Sequence, residues 1–289
     1  MNKKAVKLLI KLLLTGLALY LVFRKIDTST TLAIIQGADA FYLLLAVLFF
    51  ILSKVFSAFR LNYFFNDVGL WLPTVENLKL YGIGMFYNLF LPGGIGGDGY
   101  KVFLLNKSHG TPVKQLLQSV LLDRINGLVV LVFLMFLLAF WVDMAIVFPF
   151  PIEWLAAAGL ILLAAGFYGM MWFFFSAFIG STGITLLYSF FVQITQLVCA
   201  YFILHALGIH TQIMAYQFVF LLSSVVAVLP LTIGGVGARE LVFIFSHDYI
   251  GIDKNTAVAF SLLFFLITAL TSLTGVFLRF SGKPAQEDT

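Results

Sequence analysis

Long apolar runs constrain what this chain can fold into. Six segments each hold roughly twenty mostly apolar residues, the length that an α-helix needs to cross the hydrocarbon core of a bilayer. Charged residues make up only 10% of the 289, whereas soluble globular domains carry about a quarter. The sequence therefore predicts an all-α polytopic membrane protein. Its predicted spans are about 6–23, 40–60, 122–142, 154–176, 184–207 and 255–279.

The first apolar segment follows Lys3, Lys4 and Lys7, as the apolar part of a signal peptide does. No cleavage pattern of small residues follows it, and Arg24 and Lys25 close the run instead. We predict that this segment is an uncleaved first span.

Two further apolar runs, 73–91 and 214–229, stop at a proline followed by glycines. The pieces behind them, 98–106 and 236–247, are too short to cross a bilayer alone. Proline ends a helix because it lacks the backbone donor and clashes with the preceding turn. Irregular backbone is tolerated inside a bilayer only where it is buried in protein or lines a wet cavity. The pattern predicts two broken or re-entrant helix units.

The two breaks share one sequence pattern. Leu-Pro-Gly-Gly-Ile-Gly-Gly-Asp-Gly-Tyr-Lys at 91–101 aligns without a gap on Leu-Pro-Leu-Thr-Ile-Gly-Gly-Val-Gly-Ala-Arg at 229–239. Six positions are identical, the last residue is basic in both, and the same shift of 138 residues brings the neighbouring spans into correspondence. This internal duplication indicates a repeat architecture.

We divide the membrane domain, 1–280, into halves of about 1–142 and 143–280, followed by a polar cytoplasmic tail at 281–289. Three full spans separate the two breaks, so the second break enters from the opposite face of the membrane. Such inverted repeats are typical of secondary transporters, whose sites lie where broken helices meet. Close helix packing through small residues is the alternative explanation. It accounts for the glycines but not for a proline and a basic residue at equal spacing in both halves.

Basic residues predict the orientation, because Lys and Arg accumulate in cytoplasmic loops. With the N-terminus inside, all but four of the seventeen basic residues are cytoplasmic. We therefore expect cytoplasmic N- and C-termini. As a separate expectation, we assign the chain to the cytoplasmic (inner) membrane of a prokaryote. The basic residues form no stripe, which argues against nucleic-acid binding. The four on the outside would be Arg24, Lys25, Arg239 and Lys254.

The restart of each helix after its break is the predicted binding site. The first N–H groups of a helix and its dipole favour an anion, and Lys101 and Arg239 lie close behind the two glycine segments. We therefore predict that two such helix starts bind a phosphate or another anionic headgroup. The predicted substrate-binding residues are Asn88, Pro92, Gly93, Gly94, Gly96, Gly97, Asp98, Lys101, Asp123, Arg124, Pro230, Gly234, Gly235, Gly237, Arg239 and Glu240.

Several of these residues have predicted partners. Asp98 and Lys101 are spaced i, i+3 and are expected to pair on one helix face. Asn88 lies one turn before the first break and is expected to satisfy carbonyl groups that the break releases. Arg239 and Glu240 are adjacent, so their side chains point in different directions and each needs a partner elsewhere.

Other charged residues allow two interpretations. Ionisable groups at membrane depth are costly and are functional by default. Asp123 and Arg124 either belong to the site or lie at the cytoplasmic boundary of their span. Lys54 and Arg60 lie near the inner end of the second span. We interpret these two as side chains that snorkel towards lipid headgroups.

Motifs for catalysis, nucleotides and metals are absent from the sequence. It contains no Walker loop, no His-Glu-x-x-His, no Gly-x-Ser-x-Gly and no Asp-x-Asp, and its four histidines do not cluster. We predict no catalytic residue, no metal and no cofactor.

Three segments of the chain resemble a known family. Residues 88–101, Asp-Arg-Ile-Asn-Gly at 123–127, and residues 229–240 look like the transmembrane region of lysylphosphatidylglycerol synthases, also called the flippase-like family. The resemblance covers nearly the whole chain. Lys101 stands where the family usually has arginine, which keeps the charge but loses the bidentate grip of a guanidinium on phosphate.

The resemblance implies a function in lipid movement. Two-part members of the family join this membrane domain to a soluble aminoacyl-transfer domain that modifies phosphatidylglycerol, and the membrane domain moves the lipid between leaflets. Only about ten, mostly polar, residues follow Arg279 in this sequence. The resemblance thus implies a lipid flippase-like transporter for an anionic or aminoacylated phospholipid or a polyprenyl phosphate, and not lysyl transfer.

Two other functions stay open at this point. The first is a membrane-embedded transferase for a lipid-linked substrate, such as a phosphatidylglycerol lysyltransferase or a polyprenyl glycosyl transferase. Asp98, Asp123 and Glu240 would then act as acids or bases. The second is a non-transporting partner of a separate lipid-modifying enzyme. Assembly as a homo-oligomer also stays open.

Overall fold

The helices follow the order that the apolar runs predict. The computed structural model describes residues 16, 20–22, 24–90, 96–142, 151–228 and 237–282, and this part of the chain contains helices and turns without β-strands. The helices are α1 (Thr28–Gln36), α2 (Ala40–Asn66), α3 (Thr74–Phe90), α4 (Gly96–His109), α5 (Val113–Leu138), α6 (Ile152–Phe174), α7 (Thr182–Ala206), α8 (Ile213–Val228), α9 (Ala238–Ile250) and α10 (Lys254–Leu273).

Five segments among the described residues are long and apolar enough to cross a bilayer. They confirm five of the predicted spans and the polytopic α-helical class, while most of the first predicted span, 6–23, lies outside the described residues. The helix pairs α3–α4 and α8–α9 correspond to the two broken units, and the breaks at 91–95 and 229–236 lie outside the described residues. The five segments are Ala40–Asn66, Val113–Trp141, Ile152–Phe174, Ser176–Ala206 and Lys254–Phe277.

Two of these helices are longer than their apolar runs. α2 continues past residue 60 to Asn66, and α5 begins at Val113, well before residue 122. A hydropathy pattern ends at charged residues, but a helix continues through them where the charges find partners in the protein. As a result, Arg60 and Asp123 lie within helices and not at their ends.

Aspartates begin three of the helices. Asp27, Asp39 and Asp253 precede α1, α2 and α10, and each side chain accepts a backbone N–H from the first turn at 2.8–2.9 Å. A carboxylate at this position satisfies one of the donors that every helix start leaves unpaired. The Asp39 N–H also donates to the Ala206 carbonyl at 2.9 Å, which ties the start of α2 to the end of α7.

The centre of the bundle is the pair α2 and α7, which pack side by side, with α5 against both. Phenylalanines extend this core to α8 and α10: the Phe220 and Phe264 ring centroids lie 4.8 Å apart, and those of Phe50 and Phe264 lie 5.8 Å apart. α6 packs mainly on α5 and leaves Trp172 and Phe173 exposed. In a bilayer that exposed face contacts lipid, so its exposure carries no hydrophobic cost.

Candidate functional site

The start of α4 is held against α3 by a close backbone approach. The side-chain oxygen of Asn88 accepts the Gly97 N–H at 2.8 Å. A Cβ at Gly97 would collide with the Gly84 carbonyl group and approach the Asn88 Cγ to 2.9 Å. Only glycine lets the two helices approach so closely. The Asn88 oxygen thus satisfies a helix donor, while the expectation that Asn88 satisfies carbonyl groups released by the break stays a prediction, because the break lies outside the described residues.

The side chain of Glu240 caps the start of α9, its own helix. The Glu240 Oε2 accepts the Gly237 N–H at 2.7 Å, and its Oε1 accepts the Ser261 hydroxyl at 2.7 Å. Glu240 is buried, and Gly237 has φ +82°, a conformation that favours glycine. At both helix starts, one N–H that could bind an anion already donates to a protein side chain. The attraction for an anion therefore rests more on the cationic side chains than the sequence indicated.

Asp98 in the first turn of α4 has two cationic partners. Its Oδ1 lies 3.2 Å from the Lys101 Nζ, which confirms the predicted i, i+3 pair. Its other oxygen, Oδ2, accepts from the Arg124 Nε on α5. The Lys101 ammonium also lies 4.3 Å from the centroid of the Tyr81 ring on α3. Asp98 thus joins α4 to α5 through the site.

Arg60 and Asp123 form a second ion pair, with the Nε and Oδ1 atoms 2.7 Å apart. The Arg60 guanidinium also donates to the Ser189 hydroxyl on α7 at 2.9 Å, and Arg60 is only 4% exposed. The interpretation of Arg60 as a snorkelling side chain is therefore wrong. Asp123 is buried too, and it lies within α5 on the wall of the candidate site. Its partner Arg60 lies on α2, and no pattern in the sequence predicts that α2 packs beside α5.

These charged groups line one cavity of about 290 Å³ between α2, α3, α4, α5, α7, α8 and α9. Five cationic side chains and two carboxylates contribute to its wall. Two inward amides, Gln193 and Gln196, and the Ser224 hydroxyl add uncharged polar groups. The seven charged residues are Lys54, Arg60, Asp98, Lys101, Asp123, Arg124 and Arg239.

An adjoining cavity of about 300 Å³ shares Lys54, Arg124 and Arg239 with the first but has a more aromatic and aliphatic wall. Its apolar residues come from α2, α3, α8 and α10. Arg239 borders both cavities, and its guanidinium lies 4.8 Å from the Phe264 ring centroid. The apolar side chains are Phe50, Met85, Leu89, Ala227, Val228, Phe264 and Phe265.

Two of the five cations have no carboxylate beside them within the part of the chain that the structure describes. Lys54 has its ammonium 4.5 Å from the Phe50 ring centroid, and Arg239 contacts Phe264, but neither is within ion-pair distance of an acidic side chain there. A cation at membrane depth is costly without a negative partner. Lys54 and Arg239 line both cavities. Their positive charges would stabilise an anion bound where the two cavities adjoin.

Comparison with protein families shows where this chain belongs. The family described as the lysylphosphatidylglycerol synthase transmembrane region matches residues 8–182 and 177–275, most of the chain. The chain belongs to this family. A search of curated proteins finds no match. Family and fold together make it a multi-pass integral membrane protein related to lipid modification or flipping.

In this member of the lysylphosphatidylglycerol synthase family, the predicted site residues fall into three groups. Asn88, Asp98, Lys101, Asp123, Arg124 and Arg239 line the cavity. Gly96, Gly97, Gly237 and Glu240 form the two helix starts beside it. Pro92, Gly93, Gly94, Pro230, Gly234 and Gly235 lie outside the described residues.

Sequence reasoning missed part of the cavity wall. Lys54 and Arg60 carried a usable signal, because two cations lay inside an otherwise apolar predicted span. Tyr81, Gln193 and Ser224 carried none, since such residues are common in membrane helices and only the packing turns them inward. Within the described segments, no group of three or more residues forms a candidate metal site.

Proposed function

We propose that this protein is a lipid flippase-like transporter that moves an anionic or aminoacylated phospholipid, or a polyprenyl phosphate, between leaflets. One observation carries the proposal: five cations line a cavity inside a membrane-spanning bundle, and two of them, Lys54 and Arg239, have no carboxylate partner among the described residues. Buried charges in membrane proteins are paired with one another or serve an ion or substrate. A lipid phosphate would supply the missing negative charge.

The two adjoining cavities support a lipid as the guest. The charged cavity suits a phosphate, and the more apolar one suits the first part of an acyl or prenyl chain. Arg239 borders both, so a phosphate that it holds would have its ester oxygen directed towards the apolar side. Ligand sites with few polar groups in an apolar wall fix orientation in this way.

The inverted repeat is part of the proposal. Helices that begin at residues 40, 74, 96 and 113 are followed by helices of similar length that begin at 182, 213, 238 and 254. The first and fifth of these, α2 and α7, pack on each other at the centre of the bundle. Rocking of one half against the other would expose the cavity to each leaflet in turn, as in other inverted-repeat transporters.

The chain carries no nucleotide-binding motif, so the proposed movement is downhill or coupled to an ion. The proposed location is the inner membrane of a prokaryote, with both termini cytoplasmic.

The transferase alternative has less support. Asp98 and Asp123 are held in ion pairs, and both oxygens of Glu240 accept hydrogen bonds at the start of α9. None of these carboxylates is available as a general base without breaking a structural contact.

Reconstitution tests the proposal. Liposomes that contain the purified chain and a fluorescent anionic lipid would be treated with a membrane-impermeant quencher, which reports transbilayer movement. We expect the Lys101→Ala/Arg239→Ala variant to lower the rate roughly ten- to a hundredfold, which corresponds to a net loss of about 1.5–3 kcal/mol, the value of one charge-assisted contact.

Lys107→Ala is the matched control, because Lys107 lies on the same helix as Lys101 but is exposed and outside the cavity. Both variants must retain the unfolding temperature of the wild type in detergent. Equal rates for wild type and the double variant would refute the proposed role of the cavity.

A further inference from the structure

The charge balance of the cavity limits which headgroup it can hold. Five cations and two carboxylates leave an excess of three positive charges. We infer that the bound headgroup carries at least two negative charges, as a phosphomonoester does, and is not a singly charged phosphodiester or a cationic aminoacylated headgroup. This inference rests on the proposed function and narrows its substrate class.

The two carboxylates do not balance the cations. Asp98 is shared between Lys101 and Arg124, and Asp123 serves Arg60. Three cations thus share two carboxylates, while Lys54 and Arg239 each lie against an aromatic ring. A ring face attracts a cation but does not neutralise it.

Among the described residues, no other carboxylate lines the cavity. Glu240, which follows Arg239 on α9, is buried beside the cavity, and both of its oxygens accept hydrogen bonds from the protein. α7 contributes Gln193 and Gln196, α8 contributes Ser224, and α3 contributes the phenol of Tyr81. α10 reaches the apolar side with phenylalanine, threonine and serine side chains. The two breaks, 91–95 and 229–236, contain no ionisable residue in their sequence. The excess is therefore left for a ligand to neutralise.

The possible headgroups differ in how far they reduce this excess. A phosphodiester would leave two positive charges in the cavity, a phosphomonoester dianion one, and a lysylated phosphatidylglycerol would add a like charge. The excess of positive charge therefore favours the dianion.

A competition experiment tests this inference. The full chain in phosphatidylcholine nanodiscs would bind a fluorescent phosphatidic acid, displaced in turn by phosphatidic acid, phosphatidylglycerol, lysylphosphatidylglycerol and inorganic phosphate. We expect phosphatidic acid to compete at least roughly tenfold more strongly than phosphatidylglycerol at about pH 7.5, and the advantage to shrink at about pH 5.5, because a phosphomonoester dianion takes up a proton near pH 6 and becomes singly charged. Phosphatidylglycerol lacks this protonation and controls for titration of the protein.

A double variant tests whether Lys54 and Arg239 cause the preference for phosphatidic acid. Lys54→Gln/Arg239→Gln removes the two cations that lack a carboxylate and should reduce the preference for phosphatidic acid, whereas Lys107→Gln should keep it. The comparison of headgroups on the wild-type chain stands even if the double variant does not fold.

The possible outcomes separate this inference from the proposed function. Equal competition by phosphatidic acid and phosphatidylglycerol, or a preference for lysylphosphatidylglycerol, overturns the inference and leaves lipid transport standing. Failure of every lipid to compete overturns both. Inorganic phosphate that competes as well as phosphatidic acid supports a doubly charged ligand but makes it a free ion, which overturns lipid transport.

Discussion

Arg60 on α2 and Asp123 on α5 form an ion pair inside the bundle, with the Nε and Oδ1 atoms 2.7 Å apart and both side chains less than a tenth exposed. The pair joins two helices whose apolar runs stop near these residues. It fixes one wall of the cavity and holds Arg60 against Ser189 of α7.

Removal of one partner of this pair should destabilise the fold. We expect Asp123→Asn to lower the free energy of unfolding by about 3–5 kcal/mol, because it leaves a buried guanidinium without its counter-charge. The double variant Arg60→Met/Asp123→Leu should lose less than the sum of the two single variants. Denaturant unfolding in mixed micelles measures this coupling.

The exposed pair Lys254–Asp248, 3.6 Å apart, is the control for that measurement. Its removal should cost less than about 1 kcal/mol, as is usual for solvated ion pairs. Similar losses for the two pairs would contradict the buried position of Arg60 and Asp123.

The close approach of α3 and α4 predicts a contrast between two glycines. Gly97→Ala places a Cβ against the Gly84 carbonyl group, whereas a Cβ at Gly99 meets nothing within 4 Å. We expect Gly97→Ala to cost about 1–3 kcal/mol through overpacking and to slow transport. Gly99→Ala should be neutral, or stabilising by up to about 1 kcal/mol through helix propensity. Thermal unfolding of the two variants in detergent measures the contrast, and the same response for both would contradict the packing of α3 on α4.

Asn88 offers a test that separates structure from binding. Asn88→Ala removes the acceptor of the Gly97 N–H and should cost about 1–3 kcal/mol, because that donor is left unsatisfied. Asn88→Asp keeps the acceptor and should restore the stability, but it adds a negative charge to the cavity wall and should weaken the binding of an anionic headgroup. Parallel measurement of the unfolding temperature and of phosphatidic acid binding distinguishes the two effects. An Asp variant that binds as well as wild type would argue against an anion in this cavity.

Asp27 caps the start of α1 and should stabilise this helix locally. Hydrogen bonds from the Ser29 and Thr30 side chains, and from the Thr30 N–H, lower the pKa of Asp27 to about 2. A lowered pKa means that this contribution to stability is complete above the ordinary value of 3.8 and is lost as the pH falls through about 2. The contribution of the Asp27 cap to stability should therefore not change with pH near neutrality. We expect Asp27→Ala to speed amide hydrogen exchange in α1, with Asp248→Ala, which begins no helix, as the control. Unchanged exchange in α1 would contradict this role of Asp27.

The sequence alone was sufficient for the class of fold and for the position of most helices. The bilayer imposes this result, because every span must be apolar along about twenty residues and must satisfy its own backbone hydrogen bonds. The i, i+3 pair of Asp98 and Lys101 was predictable for a similar reason, since helix geometry alone brings those side chains together. The duplicated breaks marked the two regions from which Lys101 and Arg239 come.

Tertiary structure decided which charges meet. Arg60 finds Asp123 across 63 residues, Asp98 finds Arg124 on another helix, and Lys54 shares a cavity with Arg239. No periodicity contains this information, because the hydropathy pattern fixes the length of a span but not its rotation or its neighbours. For the same reason, only the packed bundle showed that Asn88 on α3 accepts the Gly97 N–H of α4, whereas the cap that Glu240 forms on Gly237 is a local contact within α9. The surplus of positive charge in the cavity is therefore a property of the fold and not of any segment.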